Sequence, residues 1–390
     1  MSIDKRKRIG RYITSSTVGE TYNTYIPADL PPEPSLEMEG LYSLLDQANI
    51  ALGRLDGMST LLPDPSLFLY MYIRKEAVLS SQIEGTQSSL SDLLMFENVE
   101  APGVPLDDVT EVSCYVSALN YGIERLKSFP LSLRLIREIH GKLMDNARGG
   151  HKQPGEFRTS QNWIGGSRPG NARFVPPSPE LLMECLDKFE KFLHDDTIKL
   201  PILIKAALAH VQFETIHPFL DGNGRLGRLL ITFMLCVDGL LKEPLLYLSL
   251  YLKANREAYY NHLQSVRETG NWEAWITFFL KGVIDTANQA TEAAQQIIKL
   301  FNIDLTHINN SGQSTTATLL IYNYLKLHPL TNTYKIKKAT GLSLPTVLRS
   351  LSVLSDLSII KEITGKPRHK VFAYKEYLNI LSQGTDPLRY

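Results

Sequence analysis

The sequence predicts a mainly α-helical protein with one β-hairpin set into its body and a small C-terminal helix-turn-helix unit that carries a two-stranded wing. Three observations predict it. Apolar residues recur at three- and four-residue spacing through most of 36–300. Residues 162–177 break that period with a Gly/Pro/Asn-rich run between two short apolar stubs. A polar stretch at 309–316 then reads as a linker, and a different pattern follows it. At 390 residues the chain is too long for one ordinary core, so two or three units are expected.

In chain order, residues 1–38 read as an irregular arm lying on the body. Pro27, Pro31, Pro32 and Pro34 break regular structure, and Tyr12, Tyr22 and Tyr25 would be out of place in a free tail. Helices are expected over 41–58, 66–83, 88–96, 107–129, 133–146, 179–194, 201–216, 225–239, 256–269 and 271–301. A hairpin inside a helical body needs a reason, and 162–177 is read as a flap over a site. Beyond the linker, a helix at 317–328 is followed by a helix pair, 334–340 and 343–357, around Gly341. Two β-like runs, 359–364 and 370–374, flank Gly365-Lys366-Pro367-Arg368 and complete a winged-helix pattern. The expected units are an N-terminal region 1–110, a core 111–308, the linker 309–316 and the winged unit 317–390.

Composition excludes several classes. Charge is balanced, 41 basic against 41 acidic residues, so no global field points to a nucleic acid or a membrane. Cys114, Cys185 and Cys236 are widely spaced with no CxxC pair, which argues against a disulfide framework or a zinc site and for a reducing, cytoplasmic setting. Lys5-Arg6-Lys7-Arg8 is not followed by the apolar stretch of a secretory signal, and the longest apolar runs, such as 245–252, are too short to span a bilayer.

The chemistry concentrates in His217-Pro218-Phe219-Leu220-Asp221-Gly222-Asn223-Gly224-Arg225-Leu226-Gly227-Arg228. Pro218 forces His217 out of the helical region, at the mouth of a loop. Asp221-Gly222-Asn223-Gly224 has turn chemistry, and the helix expected to begin near Arg225 points its unpaired N–H groups at that loop. Such a terminus binds anions, and glycines let phosphate approach the backbone. Arg225 and Arg228 share a face of the first turn, where guanidiniums can fork onto phosphate oxygens. Two cations there oppose the helix dipole, at about 0.3–1 kcal/mol each, a conflict that an anionic ligand removes. Asp221 is the loop's one carboxylate and is best explained by Mg²⁺ bridging phosphate oxygens. An unperturbed imidazole, with a pKa of about 6.5, can accept a hydroxyl proton near neutrality.

HPFLDGNGRLGR resembles the HxFx(D/E)GNGRxxR signature of Fic-domain proteins at every specified position. The resemblance implies a Fic helical bundle with a β-hairpin flap, and transfer of AMP from ATP to Ser, Thr or Tyr hydroxyls of target proteins and of the chain itself. It implies His217 as the base, Asp221 as the Mg²⁺ ligand and the run Gly222, Asn223, Gly224, Arg225, Leu226, Gly227 and Arg228 as the ATP site. In that assignment Asn223 and the glycine backbone meet the α- and β-phosphates, and Arg228 meets the γ-phosphate. The resemblance extends to the flap, where Ile164 and Phe174 would pin a docked target strand, and to Tyr260, placed beside adenine. Ser80-Ser81-Gln82-Ile83-Glu84-Gly85 is similar to the family's inhibitory motif, (S/T)xxxE(G/N). It implies that Ser80, Glu84 and Gly85 form a brake in which Glu84 pairs bidentately with Arg228 and displaces the γ-phosphate. The same Glu could instead align water for the reverse, AMP-removing reaction.

The alternative from another class is a DNA-binding regulator whose Fic body senses nucleotide; an intact His217 argues against it, because sensing needs no base. A Fic relative that uses another donor is a third reading. In the winged unit, Ser, Thr and Arg side chains of 342–357 could enter a major groove while Lys366, Arg368, His369 and Lys370 contact phosphates. A protein-docking winged helix is the competing reading, and a homodimer stays open.

Overall fold

A computed structural model describes residues 5–17, 19–61, 65–98, 106–145, 152–365 and 370–387. The N-terminal part is not the irregular arm expected. After one 3-10 turn at Lys5–Arg8, strands β1 (Arg11–Thr17) and β2 (Glu20–Ile26) form an antiparallel hairpin in register from Arg11↔Ile26 to Thr17↔Glu20. The prolines lie beyond the strands, and Thr, Tyr and Ile suit a pleated surface with one buried face. That face is anchored to the body. The Tyr25 hydroxyl donates to the Arg267 carbonyl at 3.1 Å, and the buried Arg8 pairs with Glu273 at 2.7 Å.

The body is a bundle of α1 (Tyr42–Leu61), α2 (Pro65–Ile83), α3 (Leu90–Asn98), α4 (Leu106–Leu126), α5 (Leu133–Leu143), α6 (Pro179–His194), α7 (Ile202–Ile216), α8 (Asn223–Asp238), α9 (Ser249–Ala254), α10 (Arg256–Thr269) and α11 (Trp272–Asn310). α7 is apolar around most of its circumference and is buried from Leu203 to Ile216 except at Lys205, as expected of a central helix. It packs against α6, α8 and α11, while α2 lies against α4, α8 and α9. The division expected between 110 and 111 falls inside α4, and α11 runs nine residues past its expected end at 301, into the polar linker. The expected hairpin at 162–177 is reduced to a single bridge, Ile164↔Phe174, closed by a 3-10 turn at Pro169–Asn171. Its glycines and prolines allow no longer ladder.

The C-terminal unit contains α12 (Thr316–Leu327), β3 (Leu330–Asn332), α13 (Thr333–Thr340), α14 (Leu344–Asp356), β4 (Lys361–Glu362), β5 (Val371–Ala373) and α15 (Lys375–Leu381). The side chains of Thr315, Asn332 and Ser343 cap α12, α13 and α14, and Gly341 turns the chain at φ 69°. The sheet has three strands in the order β3-β5-β4, not two. Lys366, Arg368 and His369 lie outside the described residues; Lys370 is exposed. The unit packs on the body through α15 against α11. Gln82 of α2 also donates to the Thr385 carbonyl at 2.8 Å. Among the described residues no helix is long and apolar enough to cross a membrane, and all three cysteines are free.

Candidate active site

The site forms where α7 ends and α8 begins. His217 caps α7 in the left-handed conformation, φ 49° and ψ 61°, its N–H still bonded to the Phe213 carbonyl at 2.9 Å. A non-glycine residue there is strained, and such strain concentrates at functional sites. Burial, then the cationic Arg158 and Arg267, pushes the imidazole down to about 4, well below the ordinary value expected from sequence. The ring is therefore neutral at pH 7. Its Nδ1 faces the Glu214 carbonyl without a geometrically complete hydrogen bond.

The loop is closed from within. The Asn223 side chain accepts from Phe219 N–H at 2.9 Å and donates to the Phe219 carbonyl at 2.8 Å. Its amide is thus spent on shaping the turn, and only its backbone remains for the phosphate role expected of it. Gly222 takes φ 76° just ahead of α8, where a Cβ would lie 2.9 Å from Met144 Sδ. Leu226 N–H makes the first intrahelical bond, to Gly222, so α8 starts at Asn223, earlier than expected. The N–H groups of 223–225 have no acceptor within the helix and make a cradle of donors that could take an anion.

The two arginines diverge. Arg228 is buried and donates through Nε to Ser80 Oγ at 2.8 Å, and through Nη2 to the Ser80 carbonyl at 3.0 Å and Glu84 Oε1 at 2.6 Å. Glu84 therefore pairs through one oxygen, not the two expected, while Nε and Nη2 of the same guanidinium also bond Ser80. Burial alone would raise the Glu84 carboxyl, but Arg228, with Arg225 and His217 behind it, holds it below its ordinary value. A Cβ on Gly224 would sit 2.3 Å from Glu84 Oε1, so this carboxylate lies directly on the cradle. Gly85, at φ 106°, ends the segment after α2. Arg225 does not face the loop mouth as expected. It is buried against α4, 3.0 Å from Glu111 and 3.6 Å from Asp221. Leu226 is core, and Gly227 makes room for Glu214, whose Oε1 would be 2.6 Å from a Cβ there.

Asp221 is paired with Lys152 at 2.9 Å, and with Arg225 nearby its carboxyl lies below its ordinary value despite burial. Tyr260 is partly exposed at the edge of the site, with Arg256 Cζ 5.4 Å from its ring centroid and Glu84 acting on it through space. Its neighbour Tyr259 is core and bonds His210 at 2.8 Å. On the flap, Ile164 is partly exposed. Phe174 is buried under Arg267 (4.0 Å) and beside Tyr25, so it anchors the flap and is not free to pin a target.

Three further residues shape the site. His140 stacks on Phe219 at 3.7 Å; its Nδ1 accepts from Gly155 N–H, so Nε2 donates to the Asp221 carbonyl at 3.0 Å. Arg158 donates to the His217 carbonyl at 2.9 Å, and Asn162 to the Phe219 carbonyl at 3.0 Å. Their partners in the 217–221 loop lie 55 or more residues away, so no spacing in the sequence points to them.

Profiles of the Fic/DOC family N-terminal region and of the Fic/DOC family match residues 42–124 and 130–235. A protein adenylyltransferase Fic of Aedes aegypti is 32% identical over 204 residues, 50% of this chain and 37% of that protein. Protein adenylyltransferase fic-1 of Caenorhabditis elegans is 28% identical over 253 residues, 63% of this chain and 44% of that protein. The chain thus spans less than half the length of these relatives. A Fic family protein from Desulfovibrio desulfuricans superimposes with a TM-score of 0.56 at 18% identity, over 88% of this chain and 98% of that one. A Fic domain containing signaling protein from Bacteroides thetaiotaomicron gives 0.51 at 22%, over 64% and 97%. Both show the shared fold.

Proposed function

We propose that the chain, which matches the Fic/DOC family models over residues 42–124 and 130–235, transfers AMP from ATP to a hydroxyl of a target protein and that its resting state is off. The observation that carries this reading is the position of Glu84, whose carboxylate occupies the α8 anion cradle and neutralises Arg228. An acid placed there competes with a terminal phosphate for the same guanidinium and the same N–H groups.

In the released state the α8 N-terminus and Arg228 hold the phosphates. His217 takes the target hydroxyl's proton as that oxygen attacks the α-phosphorus; the bond to the β-phosphate breaks and pyrophosphate leaves. A neutral imidazole is the form that can accept the proton, and the incoming triphosphate's charge raises its basicity. A lone carboxylate beside a phosphate cradle fits Mg²⁺, which takes one or two carboxylates and completes its shell with phosphate oxygens and water. Asp221 would hold it once Lys152 moves aside, and the ion would neutralise phosphate charge. Tyr260 would meet the adenine, and the edge beside the Ile164 bridge would receive a target strand.

For the C-terminal unit the outward face of α14 favours a protein partner over DNA: Leu344 and Leu348 are exposed beside a single cation, Arg349. A salt-dependent shift of a random duplex by the full chain would overturn that reading.

The activity is tested with α-labelled and γ-labelled ATP, using wild type, Glu84→Gly and His217→Ala. Transfer of α-label alone, strongest in Glu84→Gly and absent in His217→Ala, is the expected result. Transfer of γ-label would mean phosphorylation, and no transfer from either would leave only nucleotide binding.

A further inference from the structure

We propose that Arg158 is a positioning residue that ties the flap to the catalytic base, so that flap and His217 move as one unit. The guanidinium is almost fully buried, at 2% exposure. Its donors go to main-chain carbonyls on two sides. On the loop side, Nε reaches the His217 carbonyl at 2.9 Å and Nη2 the Ile216 carbonyl at 3.4 Å. On the flap side, Nη1 reaches the Ser160 carbonyl at 3.3 Å and Nη2 the Pro177 carbonyl. Arg158 N–H also donates to the Pro218 carbonyl at 2.9 Å. Asn162, four residues on, donates to the His217 and Phe219 carbonyls at 3.4 and 3.0 Å. Both ends of the flap are thereby fastened to the four residues, 216–219, that set the imidazole's direction.

Two features separate this from ordinary packing. First, His217 sits in a left-handed conformation that its sequence disfavours, so the carbonyl bonds that hold it there determine where the ring points. Second, the tie is a buried cation on which the carboxylate of Glu180 acts only through space. Burying an uncompensated charge is costly, and a neutral donor could bridge carbonyls without that cost. The charge has a further consequence beside the base: it adds to burial, the larger cause, in disfavouring imidazolium. The groups that face His217 are Arg158, Arg267 of α10, Glu84 after α2 and the Glu214 carbonyl of α7; the first two oppose protonation and the last two favour it.

This inference rests on His217 being the base, and the test separates the two. Arg158→Met and Arg158→Lys are made in the full-length Glu84→Gly background. AMP transfer from α-labelled ATP gives kcat and KM, and the His217 ring is titrated by NMR without nucleotide. For Arg158→Met the expected result is a fall in kcat of at least 100-fold, KM for ATP within threefold, and a His217 midpoint shifted upward. Arg158→Lys retains the charge but cannot span four carbonyls, so its His217 midpoint stays while kcat falls about tenfold. If Arg158→Met does not fold, the lysine variant alone carries the test. A kcat within threefold of the parent in the lysine variant, or a His217 midpoint unmoved in folded Arg158→Met, overturns the proposal. If the Glu84→Gly parent transfers no AMP, the functional reading fails, and the titration still decides whether Arg158 sets the ring's protonation.

Discussion

In the proposed resting state Glu84 competes with ATP for Arg228, and replacing it removes that competitor. The contact is a charge-assisted bond of 2.6 Å to a guanidinium that is 2% exposed, with solvent reaching 35% of the Glu84 side chain. A fully buried bond to a charged group contributes about 1.5–3 kcal/mol; solvent at Glu84 reduces this to roughly 1–2 kcal/mol. That corresponds to about a 5- to 30-fold change in an equilibrium constant. Glu84→Gly is therefore expected to bind ATP about 5- to 30-fold more tightly in calorimetry with Mg²⁺. Glu84→Gln, which keeps the length and loses the charge, should fall between. The nucleotide-free variant should be less stable, because among the described residues buried Arg228 then keeps hydrogen bonds to Ser80 alone, and its melting temperature should drop by roughly 2–4 °C. Added ATP should restore more stability to the variant than to wild type. Equal ATP affinity in wild type and Glu84→Gly would refute the reasoning, since Glu84 would then not occupy a phosphate position.

Ser80→Ala removes one of the three bonds to Arg228 and should release the brake partly, with a few-fold rise in AMP transfer and about 1 kcal/mol lost in denaturant unfolding. His217 should show no titration between pH 6 and 8 by NMR, because its folded value, about 4, lies below its ordinary 6.5. The stability this contributes is present above about 6.5 and is lost as pH falls towards 4; a midpoint near 6.5 would contradict it. Gly227→Ala places a Cβ 2.6 Å from Glu214 Oε1 and should destabilise the fold by roughly 1–3 kcal/mol; an unchanged melting temperature would show that Glu214 moves freely. Asp221→Asn should raise the Mg²⁺ concentration needed for half-maximal transfer, and an unaltered requirement would place the ion elsewhere.

The legible parts of the site were those set by short spacing. Ser80 and Glu84, one turn apart, and the run from His217 to Arg228 bring their groups together through local geometry alone. What was not legible depended on distant partners. Arg225 reads as a phosphate ligand until Glu111, on another helix, is placed 3.0 Å from it. Phe174 reads as a docking side chain until Arg267 covers its ring. Arg158 and His140 carry no local signal, since each acts on a loop brought near only by the bundle. In the fold, the N-terminal hairpin was hidden by the proline-rich stretch that follows it. Helix α11 overran its expected end because tertiary packing outweighs the polar composition of its last turns.

Intact mass of the protein recovered after incubation with ATP and Mg²⁺ reads AMP transfer without an assumed target. Glu84→Gly, or a target incubated with it, should gain the mass of one or more AMP groups. Wild type should gain far less, and the double variant Glu84→Gly/His217→Ala none. Equal adduct on wild type and Glu84→Gly would contradict the brake, and an adduct that persists without His217 would contradict the base.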